Sequence, residues 1–414
     1  MNRFHRAILA VVLLALAAST ASAESTRFRW VASWASSQQT PEPANALPPE
    51  DMRDMTMREI VHLSLGGTTV RVHVSNQFGS GPLHFSSLHL ARPLSPSSPR
   101  IDPASDRPLT FSGSREVTVP AGAEYVSDPI DYSVRPLSNL ALTFHLDSPP
   151  AGETGHPGSR ATSYYLHGDW VAAADLSDAK RVDHWYQLSA VDVRAPRPGA
   201  AIVVLGDSIT DGHGATTNGN DRWTDVLSER LQASRARRGF SVVNHGIGGN
   251  HLLMDGLGPN ALARFDRDVL AQAGVQYLIV LEGVNDLGGL TRLGDAPASA
   301  HSDLVRRMEG AYEQMVTRSH AAGIRVLGAT LLPFAGSTYY HPPATTEADR
   351  QAINEWIRTP GRFDGVIDFD KVTRDPGQPA RLLPRYDSGD HLHPSREGYR
   401  AMGEAVDLTL FRAR

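Results

Sequence analysis

Ser208 ends the run Ala201-Ile202-Val203-Val204-Leu205-Gly206-Asp207-Ser208, and Asp390-His391-Leu392-His393-Pro394 follows far downstream. A hydroxyl, an imidazole and a carboxylate are the parts of an activated serine nucleophile. Serine is a poor nucleophile until a base takes its proton, and histidine titrates near neutrality. Asp390, three residues before His393, is spaced to curl back onto the ring and fix its tautomer. This chemistry also needs donors for a tetrahedral oxyanion.

The elements that must position these groups are readable from pattern. Ile202–Leu205, Ser241–Asn244, Gln276–Leu281, Arg325–Leu331 and Val366–Phe369 are short apolar runs. Helical spacing separates them: Trp223, Val226, Leu227 and Leu231, then Leu262, Phe265, Val269 and Leu270, then Leu304, Met308 and Met315, then Ile353, Trp356 and Ile357. A last helix opens at Ser395 and carries Tyr399, Met402 and Val406. Five strands alternating with helices predict an α/β fold, a three-layer doubly wound parallel sheet, with its site at the carboxyl edge.

Residues 24–195 read differently. Arg58–Leu65 and Thr68–Ser75 flank Gly66-Gly67, which has the composition of a hairpin turn. Ser86–Ala91, Glu116–Val119, Leu140–Leu146 and Ala161–Leu166 follow between Pro- and Gly-rich stretches. This pattern predicts a β-sandwich-like accessory domain. Arg194-Ala195-Pro196-Arg197-Pro198-Gly199 reads as the linker to a second domain, 196–414.

No Gly-x-Ser-x-Gly pentad occurs, which sets the chain apart from hydrolases built on that nucleophile elbow. Four blocks appear in order instead: Gly206-Asp207-Ser208, Val243-Asn244-His245-Gly246-Ile247-Gly248-Gly249-Asn250, Glu282-Gly283-Val284-Asn285-Asp286, and Asp390-His391-Leu392-His393-Pro394. In these blocks the chain resembles GDSL-type esterases of the SGNH hydrolase superfamily, over roughly residues 200–410. The resemblance implies a flavodoxin-like SGNH fold and a carboxylic ester hydrolase. It gives Ser208 the nucleophile's role, His393 the base's and Asp390 that of its partner. Gly249 and Asn285 would complete the oxyanion hole with the Ser208 amide, and Gly248 is the alternative one residue earlier. It implies neither a cofactor nor a metal.

Trp30-Val31-Ala32-Ser33-Trp34, Met57-Arg58-Glu59-Ile60 and Arg71-Val72-His73-Val74-Ser75-Asn76-Gln77-Phe78-Gly79 resemble the extra β-domain of secreted bacterial GDSL esterases, some linked to polysaccharide deacetylation. The expected substrate is thus a short acyl ester, an acetyl group above all, on carbohydrate. The alternatives are a lipase-like or aryl esterase taking longer or aromatic esters, and a glycan-binding pseudoenzyme. The polar loop Asp211–Asn220 offers no apolar lid.

Arg3 and Arg6, an apolar run from Ala7 to Ala18, and Ala21-Ser22-Ala23 read as a signal peptide over residues 1–23. Export to the periplasm or medium follows, without stable membrane insertion. Loss of two arginines with the leader takes the net charge from −5 to −7, which argues against nucleic acid as the main partner. There is no cysteine, so stability must come from the core. Asp390, His391 and His393 could alternatively supply metal ligands. Trp170, Trp185, Trp223 and Trp356 read as core aromatics.

Overall fold

The computed structural model describes residues 27–412; the leader expected over 1–23 lies outside them. In the catalytic half, five parallel strands run in the order Phe240–Gly246, Ala200–Gly206, Val275–Leu281, Arg325–Ala329 and Gly365–Ile367. The first strand in sequence is therefore second in space. Ile202 to Leu205 are fully buried, as expected for a parallel strand covered on both faces. Helix Trp223–Ala233 packs with Arg396–Ala405, and Ala298–Ala321 with Ala344–Arg358. The α/β fold with three layers is the one the strand–helix rhythm predicts.

The other half is β-rich. One antiparallel sheet contains Phe28–Ala35, Leu188–Pro196 and Gly67–Ser75, with Glu124–Val126 and Ile130–Val134 along the last. The second runs Lys180–Val182, Ser163–His167, Met55–Leu63, Ser138–Leu146, Ser87–Ala91 and Arg107–Pro108. Val70, Val72, Val191 and Val193 from one sheet share a core with Met57, Leu140, Leu142 and Phe144 from the other. Their period-2 alternation is the packing of two sheets face to face.

The halves meet through small side chains. Ala32, Ala35 and Ala190 of the first antiparallel sheet are buried in the same cluster as Ile202 and Val242 of the parallel one. The Ala32 amide donates to the Ala273 carbonyl at 2.9 Å, and the Val242 amide donates to Ser64 Oγ at 3.1 Å. The latter satisfies a donor on the edge strand, which would otherwise offer itself for pairing.

Four local expectations need correction. Gly66-Gly67 is no hairpin: Met55–Leu63 and Gly67–Ser75 lie in different sheets. A Cβ on Gly66 would come within 2.6 Å of Pro136 Cδ, and one on Gly67 within 2.8 Å of Val193 Cβ. Close approach, not turning, demands these glycines. The supposed linker begins inside a strand, since Leu188–Pro196 lies between two partners with Ala195 buried. The helix expected over 262–270 shortens to a wide turn, Asp266–Leu270, because Arg264 and Asp268 are buried as well as the apolar positions. Trp170 is 51% exposed, with its Nε1 donating to the His167 carbonyl; Trp185, Trp223 and Trp356 are buried as expected.

Candidate active site

The strand Ala200–Gly206 delivers its end to the carboxyl edge of the sheet, where a short helical turn, Ser208–Asp211, begins at once. Asp207 caps it, its carboxylate accepting from the Ile209 amide at 2.9 Å. Capping fixes the first residue of the turn and so the direction of the Ser208 side chain. Gly206 allows the strand to pass tightly: an added Cβ would sit 2.4 Å from Thr210 Oγ1. Burial pushes the Asp207 carboxyl up to about 7 against the pull of that amide.

Ser208 Oγ lies 2.8 Å from His393 Nε2, and His393 Nδ1 lies 2.6 Å from Asp390 Oδ2. The other carboxylate oxygen of Asp390 accepts from the Leu392 and His393 amides, each at 2.9 Å, and from Ser388 Oγ at 3.0 Å. Burial would raise this carboxyl, but the bonds from His393's ring and amide outweigh it and hold it well below the usual range. Asp390 is thus an anion. It fixes the ring with Nδ1 protonated, leaving Nε2 to accept from the serine.

The donors expected for an oxyanion come from three segments. Gly249 has φ +69°, in the left-handed region that favours glycine, and a Cβ there would strike Leu257 Cδ1 at 2.8 Å. Gly248 has no such constraint, its Cβ position meeting only Asp211 Oδ2 at 3.7 Å. Asn285 follows the strand Val275–Leu281 and Gly283, whose φ of +121° turns the chain into the helix Val284–Thr291. Its Nδ2 donates to the Asn250 carbonyl at 2.6 Å, and its Oδ1 accepts from the Tyr340 hydroxyl at 2.6 Å. One amide hydrogen stays available. Asp286 accepts from the Leu252 and Leu253 amides at 2.7 and 3.0 Å, pinning the loop after Gly249.

Beneath lies a guanidinium that joins these parts. Fully buried Arg264 donates to the carbonyls of Gly206 and His245 and to Asn250 Oδ1, at 3.0, 2.7 and 3.1 Å. It also reaches Asp268 and Ser37 Oγ at 2.9 and 2.8 Å. Ser37 comes from the β-rich half. Next to the Ser208 turn, His156 of that half has Nε2 2.9 Å from Asp211 Oδ1 and Nδ1 2.8 Å from the Ser37 carbonyl. As that carbonyl only accepts, Nδ1 carries a hydrogen and donates to it.

All five sequence-derived positions thus stand at one edge of the sheet, Ser208 and Asn285 in the first turns of helices and Gly249, Asp390 and His393 in loops. The metal alternative does not assemble as proposed: His391 turns away to pair with Asp387. His213 takes its place beside Asp390 and His393, with ligand atoms within 4.8 Å of one another. Both ring nitrogens of His393 are already engaged, however, by Ser208 and Asp390, so the set as arranged offers a cation no free lone pair there. His213 packs on His393 with ring centroids 4.1 Å apart. Burial, aided by His393, pushes it down to about 4, so it is neutral at pH 7. His213, Tyr340, Arg264 and His156 had no spacing signal that would find them.

A serine, histidine and carboxylate in line at the carboxyl edge of a doubly wound parallel sheet define a serine hydrolase. Residues 204–401 match the family model described as GDSL-like lipase/acylhydrolase. Residues 204–401 are thus a GDSL-like lipase/acylhydrolase domain, an ester-hydrolase unit that makes up just under half of the chain. A GDSL-like lipase from Bacteroides thetaiotaomicron is similar at 19% identity and TM-score 0.38, over 51% of this chain and 87% of that one. An α/β hydrolase from the Lake Arreo metagenome matches at 19% and 0.37, over 50% and 93%. An acetyl xylan esterase matches at 19% and 0.36, over 50% and 96%. None of the curated proteins matches the chain.

Proposed function

We propose that this protein is an exported serine esterase that removes short acyl groups, acetyl above all, from carbohydrate, with Ser208, His393 and Asp390 as its triad. The observation that carries this reading is the continuous path from Ser208 Oγ through His393 to Asp390, at 2.8 and 2.6 Å. His393 Nε2 takes the Ser208 proton as Oγ attacks the ester carbonyl. The oxyanion receives hydrogen bonds from the Ser208 and Gly249 amides and from Asn285 Nδ2. The imidazolium then gives its proton to the departing alcohol, leaving an acyl-serine. Water, deprotonated by His393, releases the acid and restores the enzyme.

Two features support the finer parts of the reading. Residues 1–23 have the composition of a cleavable leader, in keeping with an extracellular or envelope substrate. The polar loop Asp211–Asn220 favours a small acyl group. Residues 24–195 and 196–414 are taken as accessory and catalytic domains. Among the described residues no helix is long and apolar enough to cross a membrane.

A second reading has its own support. Leu257, which would meet a Cβ on Gly249, is 43% exposed, and Tyr339 is 52% exposed. Tyr339 stands between Thr338, whose amide donates to the Asp390 carbonyl, and Tyr340, which holds Asn285. This apolar rim would suit a longer or aromatic ester. Acid release by the mature protein from acetylated xylan and from p-nitrophenyl esters of increasing length separates the two, with Ser208→Ala as control. Ser208-dependent acetate release from xylan, with rates falling beyond short chains, supports the first. Activity confined to synthetic or longer esters transfers the substrate to the second.

A further inference from the structure

At the opposite end of the parallel sheet lies an open cleft of about 1330 Å³ between the two halves. Gly199 and Phe240, at the amino ends of the two strands nearest the β-rich half, line it. The seven-residue strand Ala200–Gly206 separates this end from Ser208 by roughly 23 Å at about 3.3 Å per residue. The cleft therefore does not belong to the ester site.

Its lining contains Arg92, Arg135, Arg197, Arg235 and Arg238 and not one aspartate or glutamate. All five are exposed, and among the described residues none forms an ion pair. Five cations with no acidic residue beside them in one concavity give the cleft a single charge sign, in a chain whose net charge is −5. A concave wall of one charge sign concentrates ligands of the other. The walls are also stiff, since Pro93, Pro96, Pro136, Pro196 and Pro198 line the same cleft and fix their backbone angles in advance.

We propose that this cleft binds an anionic polysaccharide, its uronate carboxylates held by the arginines, and so anchors the enzyme on polymer apart from the ester site. Guanidinium groups match carboxylates through paired N–H donors. The cleft's aromatic residues, Tyr132 and Phe240, are 7% and 2% exposed. No base-stacking platform is therefore present, which disfavours single-stranded nucleic acid as the occupant.

The test uses the mature full-length chain carrying Ser208→Ala, in affinity electrophoresis through polygalacturonate, neutral xylan or a single-stranded oligonucleotide. Polygalacturonate should retard it, 0.5 M salt should abolish the retardation, and neutral xylan should have little effect. The double variant R197E/R235E should bind at least about tenfold more weakly, as expected for losing two charge-assisted contacts. The same pair of substitutions with Ser208 intact should hydrolyse p-nitrophenyl acetate at the parental rate. No retardation by polygalacturonate, undiminished retardation of the double variant, or retardation by the oligonucleotide alone would overturn the proposal. Binding is read without turnover, so loss of the esterase assignment would leave this result standing, and the reverse.

Discussion

The Tyr340 hydroxyl donates to Oδ1 of Asn285 at 2.6 Å while Nδ2 of the same amide donates to the Asn250 carbonyl at 2.6 Å. Together these bonds exclude the flipped amide and leave one hydrogen of Nδ2 for an oxyanion. Tyr340→Phe should therefore lower kcat about tenfold with KM nearly unchanged, because only a transition-state contact loses its aim. Asn285→Ala, which deletes the donor itself, should cost about a hundred- to a thousandfold. Steady-state kinetics on a soluble ester measures both. An unchanged kcat for Tyr340→Phe would mean that packing alone orients the amide.

Asp390→Asn tests the other side of the site. The carboxylate accepts from His393 Nδ1 and from two amides, so its charge and its acceptor geometry act together. An asparagine can turn its NH2 toward the ring and favour the wrong tautomer. The expected loss is on the order of 10⁴ in kcat, with the fold retained. A loss below about tenfold would remove Asp390 from the relay.

The placement of the four blocks at one edge of the sheet was legible because each is a short contiguous stretch whose own backbone conformation presents its side chain. Asp390 reaches His393 across three residues, and Gly249 needs its positive φ whatever lies further off. The parallel strands were legible for a related reason: buried on both faces, they read as unbroken apolar runs. The strands Phe28–Ala35 and Leu188–Pro196 pair across most of the β-rich half, and no local pattern encodes such a pairing. Arg264 was invisible for the same cause. An arginine in sequence reads as surface, and only its assembled partners from four segments compensate its burial. Gly66-Gly67 misled because closeness to Pro136 and to Val193 produces the same residue choice as a turn.

The pair His156–Asp211 ties the β-rich half to the turn that carries Ser208. Both side chains are nearly inaccessible, and the His156 ring stacks on Trp185 with centroids 5.8 Å apart. His156→Leu keeps an apolar body there but strands the Asp211 carboxylate. Leaving such a group unsatisfied should cost about 2–4 kcal/mol. Because Asp211 closes the turn that starts at Ser208, kcat should fall as well. Chemical denaturation with parallel kinetics measures both. Unchanged stability and rate would show that the domains dock without reliance on this bond.

His245 gives the chain a pH-dependent element of known sign. It lies on the edge strand Phe240–Gly246, fully buried, with Nδ1 3.2 Å from Ser37 Oγ and, among the described residues, no hydrogen-bond partner for Nε2. Burial pushes its pKa down to about 4; Asp268 opposes this, and Arg264 and Arg267 reinforce it. The unfolded chain takes up this proton near the ordinary value of 6.5, the folded chain only near 4. Stabilisation is therefore complete above 6.5 and is lost as the pH falls from there toward 4. Between pH 7 and pH 5 the loss from this group should be about 2 kcal/mol. Asp207, raised to about 7, acts in the opposite sense: its folded state holds a proton that the unfolded chain releases near 3.8, so acidification favours folding there. The informative quantity is thus the difference between the parent and His245→Gln in urea denaturation across pH 7 to 5. The variant should lose about 2 kcal/mol less than the parent over that span, even if it is less stable at pH 7. Parallel curves would mean that His245 takes up its proton in the folded chain as readily as in the unfolded one.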